Sequence, residues 1–288
     1  MIQCKHSLAI LLSTYNGAKY LREQLDSLLL QSYKDWELYI RDDGSTDGTL
    51  SIISEYASRY SNIHFIVDNE KQKGPRDSFM HLLKLIDAQY YMFCDQDDIW
   101  LEDKIEKTFV KLKEVEIEKL DSPILVCSDL CVVDEKLSVI SNSLWDMSKV
   151  MPPILSRNYK YLSVCNFVTG CTVMINNKVK QIAFPTPKDF PMHDYYLALC
   201  VSYKGGILSY INYPLILYRQ HGNNSIGATE YPRNVLMNKI LNFVTFLKVN
   251  RRLYLKVRNV VPISFAEYWC YKVMYFYYRF HICGKLFL

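Results

Sequence analysis

Residues 90–100 read "YYMFCDQDDIW". The first half is a continuous apolar run. The second half places Asp95, Asp97 and Asp98 within four positions. A short apolar run that stops at polar residues predicts a buried strand, with the acids just past its carboxyl end. Carboxylates packed this closely repel and raise one another's pKa unless a cation sits among them. Hard divalent cations take oxygen ligands, and Mg²⁺ commonly uses one or two carboxylates plus substrate phosphates. Asp95 and Asp97 can supply such ligands, while Asp98 can cap a helix that begins near Leu101. All three also fit ordinary turn and capping roles, so this motif alone decides little.

Working outward, the same pattern recurs. "HSLAILLSTYNG" (6–17) predicts a buried strand ending in a polar turn, and "WELYIRDDGS" (36–45) a second one. "NIHFIVD" (62–68) predicts a third, so that "YYMFCD" is the fourth. Between them, Tyr20, Leu21, Leu25, Leu28 and Leu29 share one helical face. "TLSIISEYASRY" (49–60) predicts a helix, and so does "DSFMHLLKLID" (77–87), capped near Asp77 or Ser78. The order β-α-β-α-β-α-β predicts an α/β fold with a mostly parallel central sheet flanked by helices. In open sheets of this kind ligands bind outside the carboxyl ends of the strands. Those ends carry "STYN", "RDDGS", "DNEKQKG" and "DQDD", so four polar loops meet at one edge.

Beyond this half, "LEDKIEKTFVKLKEV" (101–115) predicts an amphipathic helix and "PILVCSDLCVVD" (123–134) a strand. "CTVMINNKV" (171–179) predicts a strand running into a turn. "MHDYYLALCVSYKGG" (192–206) predicts a helix stopped by Gly205 and Gly206, and "LILYRQHGNNSIG" (215–227) a strand with a polar loop.

The chain has 288 residues, half of them hydrophobic and 22% charged, which suits one α/β domain with an appendage or two small domains. Its longest apolar runs fall far short of the roughly 18 residues needed to cross a bilayer. No export signal is expected at the N-terminus. Nine cysteines are scattered singly; Cys127 and Cys131 are the closest pair, and no second pair matches them for zinc. This usage predicts reduced thiols and a cytoplasmic location. The net charge of +4 divides into +9 on residues 231–288 and −5 on the rest. The body is thus suited to attract metal ions and the tail something anionic.

Two further stretches carry chemistry. In "RDDGS" a carboxylate can accept the imide N–H of a uracil or thymine ring, or simply cap the next helix. In "STYNG", Tyr15 can cover a base or sugar while Asn16 and Gly17 shape the turn. Taken in order, "LSTYNGAKYLREQLDSLLLQSY" (12–33), "WELYIRDDGSTDGTL" (36–50), "YYMFCDQDDIWLEDKIEK" (90–107) and "HDYYLAL" (193–199) resemble the family 2 glycosyltransferases. These are inverting nucleotide-sugar enzymes of the GT-A type, and the resemblance covers roughly residues 5–225.

The resemblance implies roles. Asp43 would bind N3–H of the pyrimidine, with Ser13 and Tyr15 flanking the nucleoside. Asp95 would lie near ribose or metal, and Asp97 would be the main protein ligand to Mn²⁺ or Mg²⁺ on the donor diphosphate. Many relatives have Glu-Asp where this chain has His193-Asp194. Asp194 keeps the position of the catalytic base, and His193 would orient it or touch the acceptor. "YRQHGNNSIG" (218–227) resembles bacterial rhamnosyltransferase-like members, making His221 a further metal or diphosphate ligand and Arg219 a phosphate contact. Arg76 is a second phosphate candidate. "VTGCTVMI" (168–175), with Gly170 and Cys171, would shape the acceptor side.

The expected organisation is a catalytic domain over residues 1–228 and a basic aromatic helical extension over 229–288. The catalytic domain divides into a nucleotide-binding half, about 1–115, and an acceptor half, about 116–228. The extension suits the interface of an anionic membrane, where a lipid-linked oligosaccharide acceptor would lie, on the cytoplasmic face of an inner membrane. It equally suits a helical cap that packs on the domain and makes a homodimer. The expected activity is metal-dependent transfer of a sugar, rhamnose from dTDP-rhamnose by analogy, in surface-polysaccharide assembly. A UDP-hexose is the main rival donor. A sugar nucleotidyltransferase would open with a Gly-rich phosphate loop that "LLSTYNGAKYL" lacks. A non-enzymatic scaffold would have lost Asp97 or Asp194. No nucleic-acid recognition module is present.

Overall fold

The computed structural model of the chain describes residues 1–68, 73–222, 227–228 and 243–285, with residue 243 and residues 281–285 described by backbone only. Parts of two expected loops, residues 69–72 and 223–226, lie outside the described residues, as do 229–242 and 286–288 of the extension.

The first half runs β1 (Leu8–Thr14), α1 (Leu21–Leu29), β2 (Trp36–Asp42), α2 (Thr49–Arg59), β3 (Ile63–Ile66), α3 (Gly74–Leu85) and β4 (Tyr90–Cys94). After it come β5 (Ile99–Trp100), α4 (Lys104–Glu118), β6 (Ile124–Val133), β7 (Val139–Ser141) and the short helices α5 (Leu144–Met147), α6 (Pro152–Leu155) and α7 (Tyr159–Val164). The chain continues through β8 (Met174–Asn176), α8 (Asn177–Ile182), α9 (His193–Tyr203) and β9 (Ile207–Arg219). Two helices, α10 (Phe243–Val257) and α11 (Phe265–Lys285), form the extension.

The sheet has the order β3-β2-β1-β4-β8-β6-β9-β5, with β7 paired to β6. Strands β3, β2, β1 and β4 are mutually parallel, and β6 and β9 are parallel. The short β8 joins these two parallel blocks antiparallel to both. The expected mostly parallel α/β sheet is therefore present. Burial follows the pleat. Leu8, Ile10 and Leu12 enter one core, while Ala9 and Leu11 enter the core on the other face. The apolar run is continuous because both faces are covered. The chain winds outward from β1 through β2 to β3, then returns to the other side of β1 as β4. The switch point lies between β1 and β4, where a crevice forms at the carboxyl edge.

Some local expectations shift. Helix α3 begins at Gly74, not near Asp77 or Ser78, with Pro75 in its first turn, where a missing N–H costs nothing. Its first amides are capped from a distance: Asp43 accepts the N–H groups of Lys73 at 2.9 Å and Gly74 at 2.8 Å. Asp98 does not cap the following helix, because α4 starts at Lys104; it instead accepts the Arg219 N–H at 3.1 Å. Strand β9 begins at Ile207 rather than Leu215, and Pro214 sits at a break in its register with β6. That irregularity hides the strand's first half from an alternation reading.

The extension folds onto the body. Tyr161 on α7 packs edge-on against Tyr271, with centroids 4.7 Å apart, and Lys272 Nζ donates to Val164 O at 2.6 Å. Tyr254, Val257, Tyr268 and Tyr275 belong to the same buried cluster as Leu162 and Phe190. The cap reading of this segment is thus realised over its described residues. No described helix is long and apolar enough to cross a membrane.

Candidate active site

A cavity of about 720 Å³ opens at the carboxyl ends of β1, β2 and β4. This is within the usual range for small-molecule sites, about 300–1,000 Å³. Ser13, Tyr15, Asp43, Asp95 and Asp97 line one side; Gly170, His193, Asp194 and Trp145 line the other.

At one end Asp43 is fixed by Arg41. The Arg41 side chain is fully buried; its Nη1 donates to Asp43 Oδ1 at 2.8 Å and to Ser78 Oγ at 2.7 Å. Nε donates to Asp68 Oδ2 at 2.8 Å. Burial opposes the charge on Asp43, but Arg41 and the two α3 amides outweigh it and hold the carboxyl below its ordinary value. Oδ1 takes two of these donors and Oδ2 takes one. A carboxylate oxygen can accept two hydrogen bonds, so Oδ2 can take one imide N–H. Beside it, the Gln96 amide holds the Tyr15 backbone: Oε1 accepts Tyr15 N–H at 2.9 Å, and Nε2 donates to Tyr15 O at 3.1 Å. The Tyr15 ring, half exposed, stands at the cavity wall. A Cβ on Gly17 would lie 2.2 Å from Gln96 Oε1, which is why the turn is bare there.

In the centre, Asp97 Oδ2 lies 2.8 Å from His221 Nε2. Tyr20 stacks on the His221 ring at 4.9 Å. Arg219 braces this loop from behind. Its Nε donates to Asp97 O at 2.9 Å, Nη1 to Glu135 O at 2.8 Å, and Nη2 to Glu23 Oε2 at 2.5 Å. The guanidinium is buried, is absent from the cavity lining, and braces the loop through these contacts. Arg76 also lies outside the cavity lining. It pairs with Asp77 at 2.6 Å and donates to Phe190 O at 2.5 Å, tying α3 to the loop before His193.

The tightest metal-ligating group among the described residues is Asp95, Asp98 and Cys171, with atoms within 4.8 Å. Its chemistry fits a hard cation poorly. Burial pushes the Cys171 thiol well up, and burial with neighbouring Asp97 and Asp95 pushes Asp98 well up. Asp97 and His221 form a separate acid–imidazole pair at 2.8 Å. Burial and the Asp97 and Asp194 carboxylates push Asp95 up to about 7. Beneath them lies Lys104, fully buried. Its Nζ stands 3.6 Å from the Trp100 ring centroid without a hydrogen-bond partner, and burial pushes its pKa down to about 7.

Across the cavity, Asp194 opens α9. Its Oδ1 accepts Tyr195 N–H at 2.5 Å. Burial pushes its pKa up to about 6 against this and neighbouring backbone donors. A buried carboxylate poised near neutrality suits proton abstraction. His193 is wedged between Phe79 and Phe93, with centroids 4.5 and 4.8 Å away. Burial pushes its pKa down to about 3, so the ring is neutral, and neither nitrogen has a hydrogen-bond partner. It does not orient Asp194 through a hydrogen bond. Its Nε2 would lie 2.9 Å from a Cβ at position 170, so Gly170 is small because the imidazole packs on it. Cys171 is buried behind this wall.

Residues 9–118 match the family described as Glycosyl transferase family 2. Over that segment the chain is a glycosyltransferase of family 2. It is 28% identical over 233 residues to dTDP-rhamnosyl transferase RfbG of Shigella flexneri, covering 75% of this chain and 74% of that protein. It is 27% identical over 272 residues to the E. coli UDP-Glc:alpha-D-GlcNAc-diphosphoundecaprenol beta-1,3-glucosyltransferase WfaP, covering 90% and 96%. In structure it resembles S. aureus TarS 1–349 in complex with UDP-GlcNAc. The TM-score is 0.64 at 17% identity, over 96% of this chain and 73% of that one. Mannosyltransferase PcManGT of Pyrobaculum calidifontis, in complex with GDP-Man and Mn²⁺, matches with TM-score 0.53 at 16% identity, over 77% and 59%. At such identities the two structures speak for the fold.

In this glycosyltransferase, sequence reasoning missed Gln96, Lys104 and the bracing role of Arg41. Gln96 had one legible signal, its place inside "DQDD". Lys104 had none, since a lysine at the start of a charged helix reads as solvated surface.

Proposed function

We propose that this glycosyltransferase is metal-dependent and moves rhamnose from dTDP-rhamnose to a hydroxyl of a lipid-linked oligosaccharide in bacterial surface-polysaccharide assembly. One observation carries the reading. A pyrimidine-type acceptor (Asp43), an acid–imidazole pair (Asp97 and His221) and a poised carboxylate (Asp194) converge on one cavity. Asp43 selects a ring that bears an imide N–H. Ser13 and Tyr15 enclose the nucleoside. Asp97, His221 and Asp95 would hold Mn²⁺ or Mg²⁺, which when bound offsets negative charge on the leaving diphosphate. Asp194 takes the acceptor hydroxyl's proton on the face of the sugar opposite the diphosphate, giving inversion. Neutral His193 and the Trp145 side keep that end of the cavity apolar.

The name and 28% identity of RfbG support rhamnose. The names of WfaP and WfgD, both UDP-Glc:alpha-D-GlcNAc-diphosphoundecaprenol glucosyltransferases, support a second reading with a UDP-hexose donor and equally support a lipid-linked acceptor. Such an acceptor would bring the enzyme to the cytoplasmic face of the inner membrane.

Calorimetry with dTDP-rhamnose, UDP-glucose, UDP-galactose, UDP-N-acetylglucosamine and GDP-mannose, each with Mn²⁺ and with chelator, tests this. Mn²⁺-dependent binding of dTDP-rhamnose alone is expected. Preference for a UDP-hexose selects the second reading, and equal binding with chelator overturns the metal.

A further inference from the structure

Helix α11 caps the body with its tyrosines and still turns an apolar face outward. Its two interior cations point into the protein. Lys272 Nζ donates to Val164 O at 2.6 Å, and Arg279 donates to Ser148 O. Residues facing away from the body are uncharged. Ala266, Cys270, Val273, Met274, Tyr277 and Phe280 recur every three or four positions and are exposed, Val273 at 64% and Phe280 at 65%. This spacing puts them on one stripe about four turns long. The charge on the opening turn, Glu267, is paired with Lys160. A contiguous exposed apolar stripe marks a surface that meets something apolar.

The neighbouring helix supplies the other half. Packed against α11 through Tyr254 on Tyr268 and Phe246 on Trp269, α10 buries Asn250, Tyr254 and Val257. Its opposite face carries Val244, Lys248, Arg251, Arg252 and Leu255, all exposed. Cations interleaved with aliphatic residues, beside a purely apolar stripe, match a surface with anionic headgroups over a hydrocarbon interior.

We propose that the outward faces of α10 and α11 dock on an anionic lipid bilayer, with Val273 and Met274 entering the interface and Lys248, Arg251 and Arg252 on the headgroups. Helices of this type bury their apolar face about 5–10 Å into the headgroup boundary. The inference deepens the lipid-linked reading of the acceptor and rests on it for its purpose. It is tested without donor or acceptor, so the two fail separately.

Full-length protein is floated with vesicles of phosphatidylcholine alone and of phosphatidylcholine with 30% phosphatidylglycerol. Binding to the anionic vesicles only, weakened by 0.5 M NaCl, is expected. Neutralising Lys248, Arg251 and Arg252 to Gln is expected to lower partitioning on the order of a hundredfold, about fivefold per cation. V273D/M274D is expected to abolish it; V273S/M274Q, milder on folding, lowers it at least fivefold with thermal stability unchanged. Wild-type protein that fails to float with anionic vesicles overturns the proposal. So does floating that neither set of substitutions changes. A shift in oligomeric state on V273S/M274Q by light scattering, with floating unaffected, assigns the face to a second copy and overturns it as well.

Discussion

The Gln96 side-chain amide closes a two-way clamp on the backbone of Tyr15, 81 residues away, at 2.9 and 3.1 Å. It joins the loop after β1 to the loop after β4, so the nucleoside wall and the acidic centre are set by one residue. Gln96→Leu keeps the volume and removes both hydrogen bonds. Donor affinity is expected to fall about tenfold, with Kd read by calorimetry, while the melting temperature moves little. Unchanged affinity would mean the clamp does not position Tyr15.

Asp97 and His221 face each other at 2.8 Å. Asp97→Ala is expected to abolish Mn²⁺-dependent donor binding. His221→Ala should weaken it by about 10–100-fold, the usual size of a change around a metal ligand. Neither should unfold the protein, because both side chains serve the cavity more than the core. Donor binding by Asp97→Ala at wild-type affinity would sink the metal assignment.

Asp194 should trade stability for activity. Its pKa in the fold is pushed to about 6, above its ordinary 3.8, so the folded state binds the proton more tightly than the unfolded chain. That preference favours folding at low pH and is lost as pH rises through about 6, where a buried charge must be carried. Asp194→Asn removes this cost. Its melting temperature is expected to exceed that of the wild type at pH 7.5, by up to about 3 kcal/mol of stability, and to converge with it below pH 4. Transfer should fall by about 10²–10⁴ while donor binding persists. The wild-type rate should decline with acid on a limb near pH 6. Near-wild-type transfer by the variant would require another base.

Arg41 holds Asp43 and Asp68 from a fully buried position. Arg41→Leu strands two carboxylates and is expected to destabilise the fold by about 3–5 kcal/mol in urea unfolding. Asp43→Asn leaves Arg41 with Asp68 and should cost less stability than donor selectivity. A smaller loss for Arg41→Leu than for Asp43→Asn would contradict the brace.

Lys104 is enclosed with its Nζ near Cys94, Cys171 and Asp98. Lys104→Met preserves the packing on Trp100 and removes a buried cation beneath the acids. Weaker Mn²⁺-dependent donor binding with equal or higher thermal stability is expected. Unchanged Mn²⁺ dependence would make the lysine a packing residue.

The sequence by itself determined the first half of the sheet and the edge at which chemistry gathers. Runs such as Leu8–Leu12 and Tyr90–Cys94 are apolar on both pleat faces, so each strand ends where polar residues begin, and the polar ends of parallel strands share one side. What each polar residue touches there was decided by tertiary structure. Arg76 and Arg219 read as phosphate ligands, because an arginine near a phosphate site is usually one. Only the fold reveals that their donors are taken by Phe190, Asp97, Glu135 and Glu23. Gln96 and Tyr15, Arg41 and Asp68, and Asp43 and α3 meet across loop closures that leave no local period. The tail reads as a basic aromatic amphiphile, since tyrosine counts equally for core and surface. Tertiary packing chose which face turned inward. Burying Tyr268 and Tyr275 against α7 carried Lys272 inward to a backbone carbonyl, and left Val273 and Met274 on the outside.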